Sequence, residues 1–470
     1  MTVFTGSRPL TNIEPAKVAR SLLANQFVTP NKLIGLWVWR GIVLEWFGGQ
    51  WVVRDREWLE SALWLALEDA YYRVQTSTGK EVRRFAPNPS KIDAVLAALT
   101  HIARLPHDKI PCWTGTPVVD PDYCITFRDA IISLKTGEAF ERTEEWIEPV
   151  VVPVNWNPEA TCPTWLRCLD EWSQGREEWI TLIQRMFGYC LMGHRKYAKW
   201  FLLHGKVRGG KGTVCGVLRK LIGKSFMGTS LEDLARPFGL YGIEHARVLS
   251  IGEVAEIRGQ EAEASCRVLK QILGRDPMTI DVKYQSPIRD VVAECVPIMQ
   301  ANEIPKLPNK GMGLSSKMVP IPFDVSFLGR ENHHLSDDLE SELSGIAAWA
   351  VKGAIALANE SRPEMRFPLT KDGVVLLEEY MSANNPVDHF LEEYFVPDKN
   401  GFVTSSVIYA RWEMWVRKTG AKRLSARRLT QYLKEGSSWQ LANARIGKSG
   451  ARGVQGLRAI PMSEDLDSFE

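Results

Sequence analysis

The sequence predicts an α/β fold whose core is a parallel sheet, and three observations support this prediction. Between about residues 198 and 365, short apolar segments alternate with segments of helical period, which is the pattern of a parallel sheet flanked by helices. One of these apolar segments leads directly into a glycine-rich loop and then a helix. The chain of 470 residues is too long for one ordinary domain, so further domains are expected around this core.

The chain divides into four predicted regions. In the first region (1–150), Trp58–Tyr72 has helical spacing and is surrounded by short strands. The second region (151–197) contains a helical segment that begins at Pro163, and proline suits the first turn of a helix. The last contains two helical segments, Ser406–Lys418 and Ser425–Lys434, and then a glycine-rich basic hairpin at Ala444–Ile460. The regions are an N-terminal α+β region of unclear role (1–150), a helical pre-core segment (151–197), the parallel-sheet core (198–385) and a basic, winged-helix-like domain (386–470).

The net charge of +2 conceals an uneven distribution. Residues 401–460 contain twelve Lys and Arg against two Glu, which gives about +10 and leaves about −8 for the rest of the chain. A basic terminal segment suits contact with nucleic-acid phosphates, whereas the alternative is a solvated surface without a partner, and composition does not choose between them. Arg427 and Arg428, on the second predicted helix of this segment, are candidate DNA-binding residues.

Cysteine usage and hydropathy indicate the compartment. The eight cysteines form no CxxC pair, which argues against a zinc ribbon or a disulfide scaffold and predicts buried free thiols in a reducing cytosol. Met1–Leu10 lacks the basic and apolar segments of a signal peptide. The most apolar stretch, Leu33–Val53, is interrupted by charges and predicts no membrane span. A cytoplasmic protein without membrane contact is therefore expected.

The strongest motif is the glycine loop Gly205-Lys-Val-Arg-Gly-Gly210-Lys211-Gly212-Thr213, which stands between an apolar strand at Trp200–Leu203 and an amphipathic helix. This context is the one that a phosphate-binding P-loop requires, because glycines let backbone N–H groups wrap phosphates at a helix N-terminus. The predicted cofactor-binding residues are Gly205, Arg208, Gly209, Gly210, Lys211, Gly212 and Thr213. Gly212 stands where a magnesium-binding hydroxyl is usual, so Thr213 is the candidate metal ligand.

Two later strands end in residues suited to nucleotide hydrolysis. Arg247–Glu253 predicts a buried strand ending in an acid, and Glu253 could hold the metal or activate the attacking water, with Glu256 as a possible helper. A third strand, Cys295–Met299, leads to Asn302, which could orient that water. Asn alone is common in turns, so its value lies in the order of P-loop, acid and amide within about 100 residues.

Between these two strands, residues Met278–Gln285 alternate between apolar and polar side chains. The alternation predicts a half-exposed strand in one arm of a hairpin. Lys283 and Tyr284 would then project as a cation beside an aromatic ring, a combination that suits contact with a single-stranded backbone. An exposed lysine without a function is the alternative.

Taken together, these motifs resemble superfamily 3 helicases of the phage, plasmid and poxvirus primase-helicase group. The resemblance covers about residues 125–360 and includes Ile125–Gly137, Cys162–Trp165, Gly188–Cys190, Ser315–Phe323 and Ser326–Glu331. It implies an AAA+-like ATPase core that uses ATP and Mg2+, a homo-hexameric ring with Lys283 in the central channel, and single-stranded and forked DNA as partners. It also implies a cation that reaches a neighbouring subunit's ATP; Lys317 stands at that place, and either Lys317 or Arg330 could serve.

Three functions compete at this point. The first is a ring-forming DNA helicase in the replication of a phage, plasmid or other mobile element. The second is an ATP-dependent origin-binding initiator or loader without processive unwinding, and the third is a nucleotide kinase, suggested by the Gly-Lys-Gly-Thr run and disfavoured by the strand that ends in Asn302. Asp120-Pro-Asp122 superficially resembles a primase acid pair but suits a turn, so priming is expected from a separate primase or polymerase.

Overall fold

A computed structural model gives the fold. It describes residues 9–10, 13–39, 41–77, 79–106, 110–252, 259–283, 287–305, 307, 313–384, 386–420, 423–435, 439, 441–446 and 451–461. The chain forms two compact units, Met1–Pro158 and Glu159–Glu470.

The described residues of the first unit form small sheets and three α-helices. Its elements are β1 (Pro9–Leu10), α1 (Pro15–Asn25), β2 (Leu36–Trp39), β3 (Ile42–Phe47), β4 (Gln50–Arg54), α2 (Arg56–Leu67), β5 (Tyr71–Thr76), β6 (Gly79–Arg84), α3 (Pro89–Ile102), β7 (Cys112–Trp113), β8 (Cys124–Thr126), β9 (Ala130–Ser133), β10 (Ala139–Glu141) and β11 (Trp146–Ile147). The sheets have the orders β1-β5-β6, β2-β3-β4, β10-β9-β8 and β11-β7. Apolar faces of all three helices share one core with Leu36 and Phe85, because each helix places buried residues three or four positions apart.

The second unit contains the long parallel sheet and most of the helices. Its elements are α4 (Pro163–Ser173), α5 (Glu177–Leu191), β12 (Trp200–Gly205), α6 (Lys211–Ile222), β13 (Phe226–Thr229), β14 (Val248–Ile251), α7 (Gly259–Gly274), β15 (Met278–Ile280), β16 (Ile288–Val291), β17 (Val296–Ala301), β18 (Met318–Phe323), α8 (Leu335–Ser341), α9 (Leu343–Asn359), α10 (Lys371–Asn384), α11 (Pro386–Tyr394), β19 (Phe395–Thr404), α12 (Ser405–Thr419), α13 (Ala426–Glu435), β20 (Ala442–Ile446) and β21 (Ala451–Ala459).

Five strands form the predicted parallel sheet, in the order β13-β14-β17-β12-β18. Strands β14 and β18 are buried along their whole length, as expected for strands covered on both faces. The three strands predicted around the motifs are confirmed, with ends shifted by one or two residues. After β12 the chain runs to the far edge of the sheet, whereas β18 lies on the other side of β12. The carboxyl end of β12 is therefore a topological switch point, where ligands bind in such sheets.

The C-terminal part of the second unit has its own hydrophobic core, formed by α11, α12 and α13 around a three-stranded antiparallel sheet. The sheet order is β19-β21-β20. Both predicted helices and the hairpin are present, with ends within a few residues of the prediction. Arg411 is buried and donates hydrogen bonds to the carbonyl oxygens of Tyr394 (3.0 Å) and Ile460 (2.8 Å), so it joins the first and last segments of this domain.

Two predicted elements were wrong in extent. The helix expected over Trp58–Tyr72 ends at Leu67, and Tyr71 begins β5, where alternating aromatic and β-branched residues favour a strand. The strand expected over Met278–Gln285 ends at Ile280. Its partner is β16, so the predicted hairpin exists, and Lys283 lies in the segment that connects the two strands.

The state of the cysteines agrees with the prediction. All eight cysteines are buried and unpaired, as predicted. Burial raises the pKa of the Cys215 thiol to about 12, although a hydrogen bond with Ser250 opposes that shift. Within the described residues, no helix is both long and apolar enough to cross a membrane.

Candidate functional site

A cleft of about 960 Å3 opens at the carboxyl end of β12. Four segments of the second unit line it: the glycine loop, the end of β17, the chain after β18, and one face of α4. The lining residues are Arg167, Cys168, Glu171, Trp172, Val207, Arg208, Gly209, Gly210, Lys211, Gly212, Thr213, Gln300, Ala301, Asn302, Phe327, Arg330, Glu331, Asn332, His333 and Leu335. Most residues predicted to bind the phosphates thus lie in one cavity, and Gly205 lies at the strand end from which the loop leaves.

Two glycines of the loop occupy positions that other residues could not. Gly205 has φ +142°, and a Cβ there would lie 2.1 Å from the carbonyl oxygen of Phe323 on the adjacent strand. Gly210 has φ +100°, and a Cβ there would lie 2.6 Å from the indole ring of Trp172. The loop therefore lies against the sheet on one side and against α4 on the other, which fixes its backbone before any ligand binds.

The segment after β18 also holds the loop. The backbone N–H of Phe327 donates to the carbonyl oxygen of Arg208 (3.1 Å), and the Ser326 hydroxyl donates to the carbonyl oxygen of Val207 (2.8 Å). Arg208 has φ +57° and its guanidinium lies 3.7 Å from the Glu331 carboxylate. Loop and segment therefore form one connected wall of the cleft.

Lys211 is the first residue of α6 and is buried to 8% exposure. Its ammonium donates to the carbonyl oxygens of Gly205 (2.7 Å) and Lys206 (2.8 Å) and to Oδ1 of Asn302 (2.8 Å). Burial, with the nearby Lys211 charge, lowers the pKa of His204 on β12, so this imidazole is neutral at pH 7. The three oxygen atoms that contact this ammonium at 2.7–2.8 Å belong to two carbonyl groups and one amide, and phosphate oxygens could take the place of such acceptors.

Asn302 reaches this position because of the sheet register. His204 pairs with Ala301 on β17, so the residue after Ala301 stands beside the start of the glycine loop. The side chain of Gln300 donates to the Ser250 hydroxyl (3.4 Å) and so connects β17 with β14, the strand that precedes the predicted acid. Glu253 and Glu256 themselves lie outside the described residues.

Gly212 and Thr213 differ in their surroundings. Gly212 is exposed, and a Cβ there would meet nothing within 4 Å. Thr213 is half-buried and supplies a hydroxyl to the cleft lining. Within the residues that are described, no three acidic, His or Cys side chains form a metal cluster. A magnesium ion at such a site is usually held by one or two protein oxygens together with substrate phosphates and water, so the Thr213 hydroxyl fits this role without a protein cage.

The two candidate cations after Asn302 lie beyond opposite ends of strand β18. Arg330 lines the cleft of its own chain, lies over the Phe327 ring at 5.6 Å and donates to the carbonyl oxygen of Ser326 (3.1 Å). Lys317 precedes β18, at the edge where that strand begins, and its ammonium donates to the carbonyl oxygen of Leu273 (2.9 Å). Met318 pairs with Trp200 and Phe323 with Gly205, so the strand separates Lys317 from the glycine loop by roughly 16 Å.

Helix α4 contributes residues that the sequence motifs did not identify. Trp172 packs under Gly210, and Arg167 and Glu171 stand on the same face of the helix, one turn away from each other. The helix N-terminus is capped from a distance: Glu342 accepts hydrogen bonds from the backbone N–H groups of Thr164 (2.8 Å) and Trp165 (3.0 Å). Helical spacing in the sequence indicates α4, but only the tertiary fold brings this face to the cleft.

The predicted DNA-contacting residues lie on two other parts of the unit. Lys283 is exposed in the connection between β15 and β16, and Tyr284 lies outside the described residues. Arg427 and Arg428 are exposed in the first turn of α13, whose Leu429 and Leu433 are buried in the domain core. The amphipathic character of α13 therefore turns its arginines to solvent.

Comparison with known proteins gives one family match. Residues 382–453 match the model of the family described as "Poxvirus D5 protein-like". This match lies in the C-terminal domain, whereas the sequence resemblance was found mainly over residues 125–360. No curated protein matches the chain.

Solved structures of the NrS-1 C terminal region are similar to the chain over most of its length. One apo structure has 10% sequence identity and a TM-score of 0.48, and covers 94% of this chain and 99% of that chain. An A form apo structure also has 10% identity, with a TM-score of 0.45, and covers 96% of this chain and 100% of that chain.

Proposed function

We propose that the chain is an ATP-dependent DNA helicase of superfamily 3 that acts in replication, with ATP bound in the cleft at the carboxyl end of the parallel sheet. One observation carries the proposal: the buried Lys211 ammonium contacts both the carbonyl groups of the glycine loop and Asn302. The start of α6 and the residue after β17 thus supply a phosphate-binding cation and a neutral hydrogen-bonding group to one point. Phosphoryl transfer depends mainly on such positioning and charge stabilisation.

Residues of the cleft would have separate roles in binding and hydrolysing ATP. Backbone N–H groups of the glycine loop and the N-terminus of α6 would surround the phosphates. The Lys211 ammonium exchanges its carbonyl partners for the terminal phosphates, which frees the Asn302 side chain to orient the attacking water. Arg330 in the same cleft adds positive charge near the transferred group. Glu253 follows the buried strand β14 in sequence and is our candidate for the base that activates water.

Mg2+ would be held by Thr213 and Glu253 together with ATP, and it would neutralise charge that develops on the phosphates. The open space at Gly212 supports a displaced hydroxyl, because the position usual for the metal ligand carries no side chain. Thr213 is the nearest hydroxyl along the chain and lies in the cleft wall.

A ring of identical subunits, hexameric in the group that the sequence resembles, would complete each ATP site. Lys317 lies at the sheet edge opposite the cleft, so it is too far from its own ATP and could act only on a neighbour's. Burial and the Lys317 charge lower the pKa of Lys199, whose ammonium donates to the carbonyl oxygen of Ser316 (3.1 Å). Two half-buried cations held close together at the start of β18 suit an anion supplied by another molecule.

The replication context is supported by the match of residues 382–453 to the poxvirus D5 protein-like family and by the resemblance to primase-helicases. Lys283 would contact single-stranded DNA in the channel, while the C-terminal domain, with Arg427 and Arg428, would contact duplex at a fork or an origin. Priming would belong to a separate primase or polymerase. A cytoplasmic location in a bacterial host is part of this proposal.

The test measures ATP hydrolysis by Lys211→Ala with and without single-stranded DNA. We expect turnover to fall by at least a hundredfold, because a charge-assisted contact to the transferred phosphate is lost. The control is Lys224→Ala, which removes an exposed lysine just beyond the same helix and should hydrolyse ATP at the wild-type rate. Normal turnover of Lys211→Ala, or stimulation of the wild type by nucleoside monophosphates instead of DNA, would refute the proposal.

The second candidate is an origin-binding initiator that uses ATP for assembly instead of processive unwinding. The separate core and exposed arginines of the C-terminal domain favour it. Strand displacement on a tailed duplex separates the two functions. An initiator hydrolyses ATP and binds duplex DNA without releasing the displaced strand, whereas a helicase releases it in proportion to ATP consumed.

A further inference from the structure

Two arginines face each other across the hairpin formed by β20 and β21. Arg445 on β20 is the register partner of Arg452 on β21, and both side chains are exposed. Directly opposed residues in an antiparallel pair have Cβ atoms about 4.5–5.5 Å apart, and like charges in that arrangement destabilise the sheet. In the described part of the chain, neither guanidinium has a carboxylate within 4 Å.

Three other surface cations of the same domain are paired with acids. Lys418 contacts Glu393 at 2.5 Å, Arg423 contacts Glu413, and Arg458, on the same strand as Arg452, lies 3.5 Å from Asp398. Acidic residues of this domain therefore neutralise some of its surface cations. None of these three ion pairs includes Arg445 or Arg452.

We propose that the Arg445–Arg452 pair is a phosphate-binding site for the backbone of duplex DNA. A phosphate between the two guanidiniums would convert their repulsion into two charge-assisted contacts, for which arginine is well suited. The proposal deepens the proposed function, since it names the residues with which the C-terminal domain holds duplex.

Duplex DNA is the occupant that the neighbouring elements favour. Helices α12 and α13 are joined by a short connection, and α13 exposes Arg427, Arg428 and Gln431 opposite its buried Leu429 and Leu433. In helix-turn-helix proteins the second helix of such a pair contacts base edges in the major groove. The hairpin follows α13 in the chain, and Leu441 at its start is buried in the core that holds α13. Backbone contacts by the hairpin would then fix the position of the helix on the duplex.

The test compares three variants of the full chain, each of which removes one positive charge: Arg445→Gln, Arg452→Gln and the control Arg458→Gln. Duplex affinity is measured by fluorescence anisotropy without nucleotide at several salt concentrations. Each hairpin variant should reduce the log–log salt slope by about 0.9, which corresponds to about fivefold weaker binding at 0.15 M salt. Arg458→Gln should keep the wild-type slope, because Asp398 already neutralises that guanidinium.

A second measurement separates binding from folding. Arg445→Glu replaces the repulsion by an ion pair with Arg452, so it should slow hydrogen exchange of the β20 and β21 amides while weakening duplex binding further than Arg445→Gln does. An unchanged slope in both hairpin variants, equal loss in Arg458→Gln, or faster exchange in Arg445→Glu would overturn the proposal. The duplex-binding assay contains no nucleotide, so its outcome does not depend on ATP hydrolysis. Failure of the hydrolysis mechanism and failure of the hairpin site are therefore distinguishable.

Discussion

Replacing Gly205 by alanine should destabilise the parallel-sheet core, whereas the same change at Gly212 should not. Both residues belong to the glycine loop and both would gain one methyl group. At Gly205 that methyl would lie 2.1 Å from the carbonyl oxygen and 2.7 Å from the carbonyl carbon of Phe323, on backbone with φ +142°. At Gly212 it would meet nothing within 4 Å, in the first turn of α6.

The magnitude follows from two terms. Holding a non-glycine residue in that backbone region costs about 1–3 kcal/mol, and forcing a methyl group into packed backbone costs about 1–3 kcal/mol more. Gly205→Ala should therefore lower stability by about 2–6 kcal/mol. Gly212→Ala should raise it by about 0.4–1 kcal/mol, because alanine restricts the unfolded chain more than glycine does.

Thermal unfolding followed by far-ultraviolet circular dichroism measures both variants without nucleotide. For a folding unit of 150–250 residues, 1 kcal/mol shifts Tm by about 2–4 °C, so Gly205→Ala should lose at least about 4 °C and Gly212→Ala should lose nothing. Equal Tm values for the two variants would refute this reasoning. They would mean that Phe323 on β18 does not lie as close to Gly205 as these distances state.

Two further predictions concern residues outside the glycine loop. Glu342→Gln should lower Tm slightly, by an effect of about 0.5–1 kcal/mol. The pKa of Glu342 is lowered despite partial burial, because the N–H groups of Trp165 and Thr164 bind its carboxylate; its contribution is complete above the unfolded pKa of about 4.3 and is lost as pH falls through the lower folded value. The Tm difference from wild type should thus be constant near pH 7 and disappear in acid, and a difference that grows in acid would contradict this assignment. Lys283→Ala should keep basal ATP hydrolysis but lose DNA stimulation and unwinding, and wild-type unwinding of a tailed duplex by this variant would exclude the hairpin from the mechanism.

The sequence predicted the parallel sheet well because its strands are buried on both faces and therefore form short, continuous apolar runs. It also identified Lys211 and Asn302, whose contact at 2.8 Å depends on the register between β12 and β17. That register cannot be derived from motif spacing, although the parallel sheet implies that both strand ends meet at one edge. The local pattern was less informative where pairing with another strand determines the length of a strand. The alternation predicted a strand as far as Gln285, whereas β15 ends at Ile280, before Lys283.

The contribution of α4 to the cleft could not be predicted from the chain. Its spacing indicates a helix with an apolar face, but Trp172 meets Gly210 only because α4 packs against α5 and α8. The capping carboxylate comes from Glu342, 178 residues after Thr164. A distant acid that caps a helix has no local sequence pattern, in contrast to a Ser or Asp at the N-cap itself.

The positions of Arg330 and Lys317 bear on how ATP hydrolysis could be coupled between subunits. Arg330 belongs to the segment that is hydrogen-bonded to the glycine loop through Phe327, so its guanidinium is held at the cleft of its own chain. Lys317 stands at the start of the same strand, β18, whose other end precedes that segment. Strand β18 therefore lies between the cation proposed to act at this chain's ATP and the cation proposed to reach a neighbour's. If the chain forms the proposed ring, a shift of β18 on ATP binding would displace both cations together and would connect adjacent sites structurally.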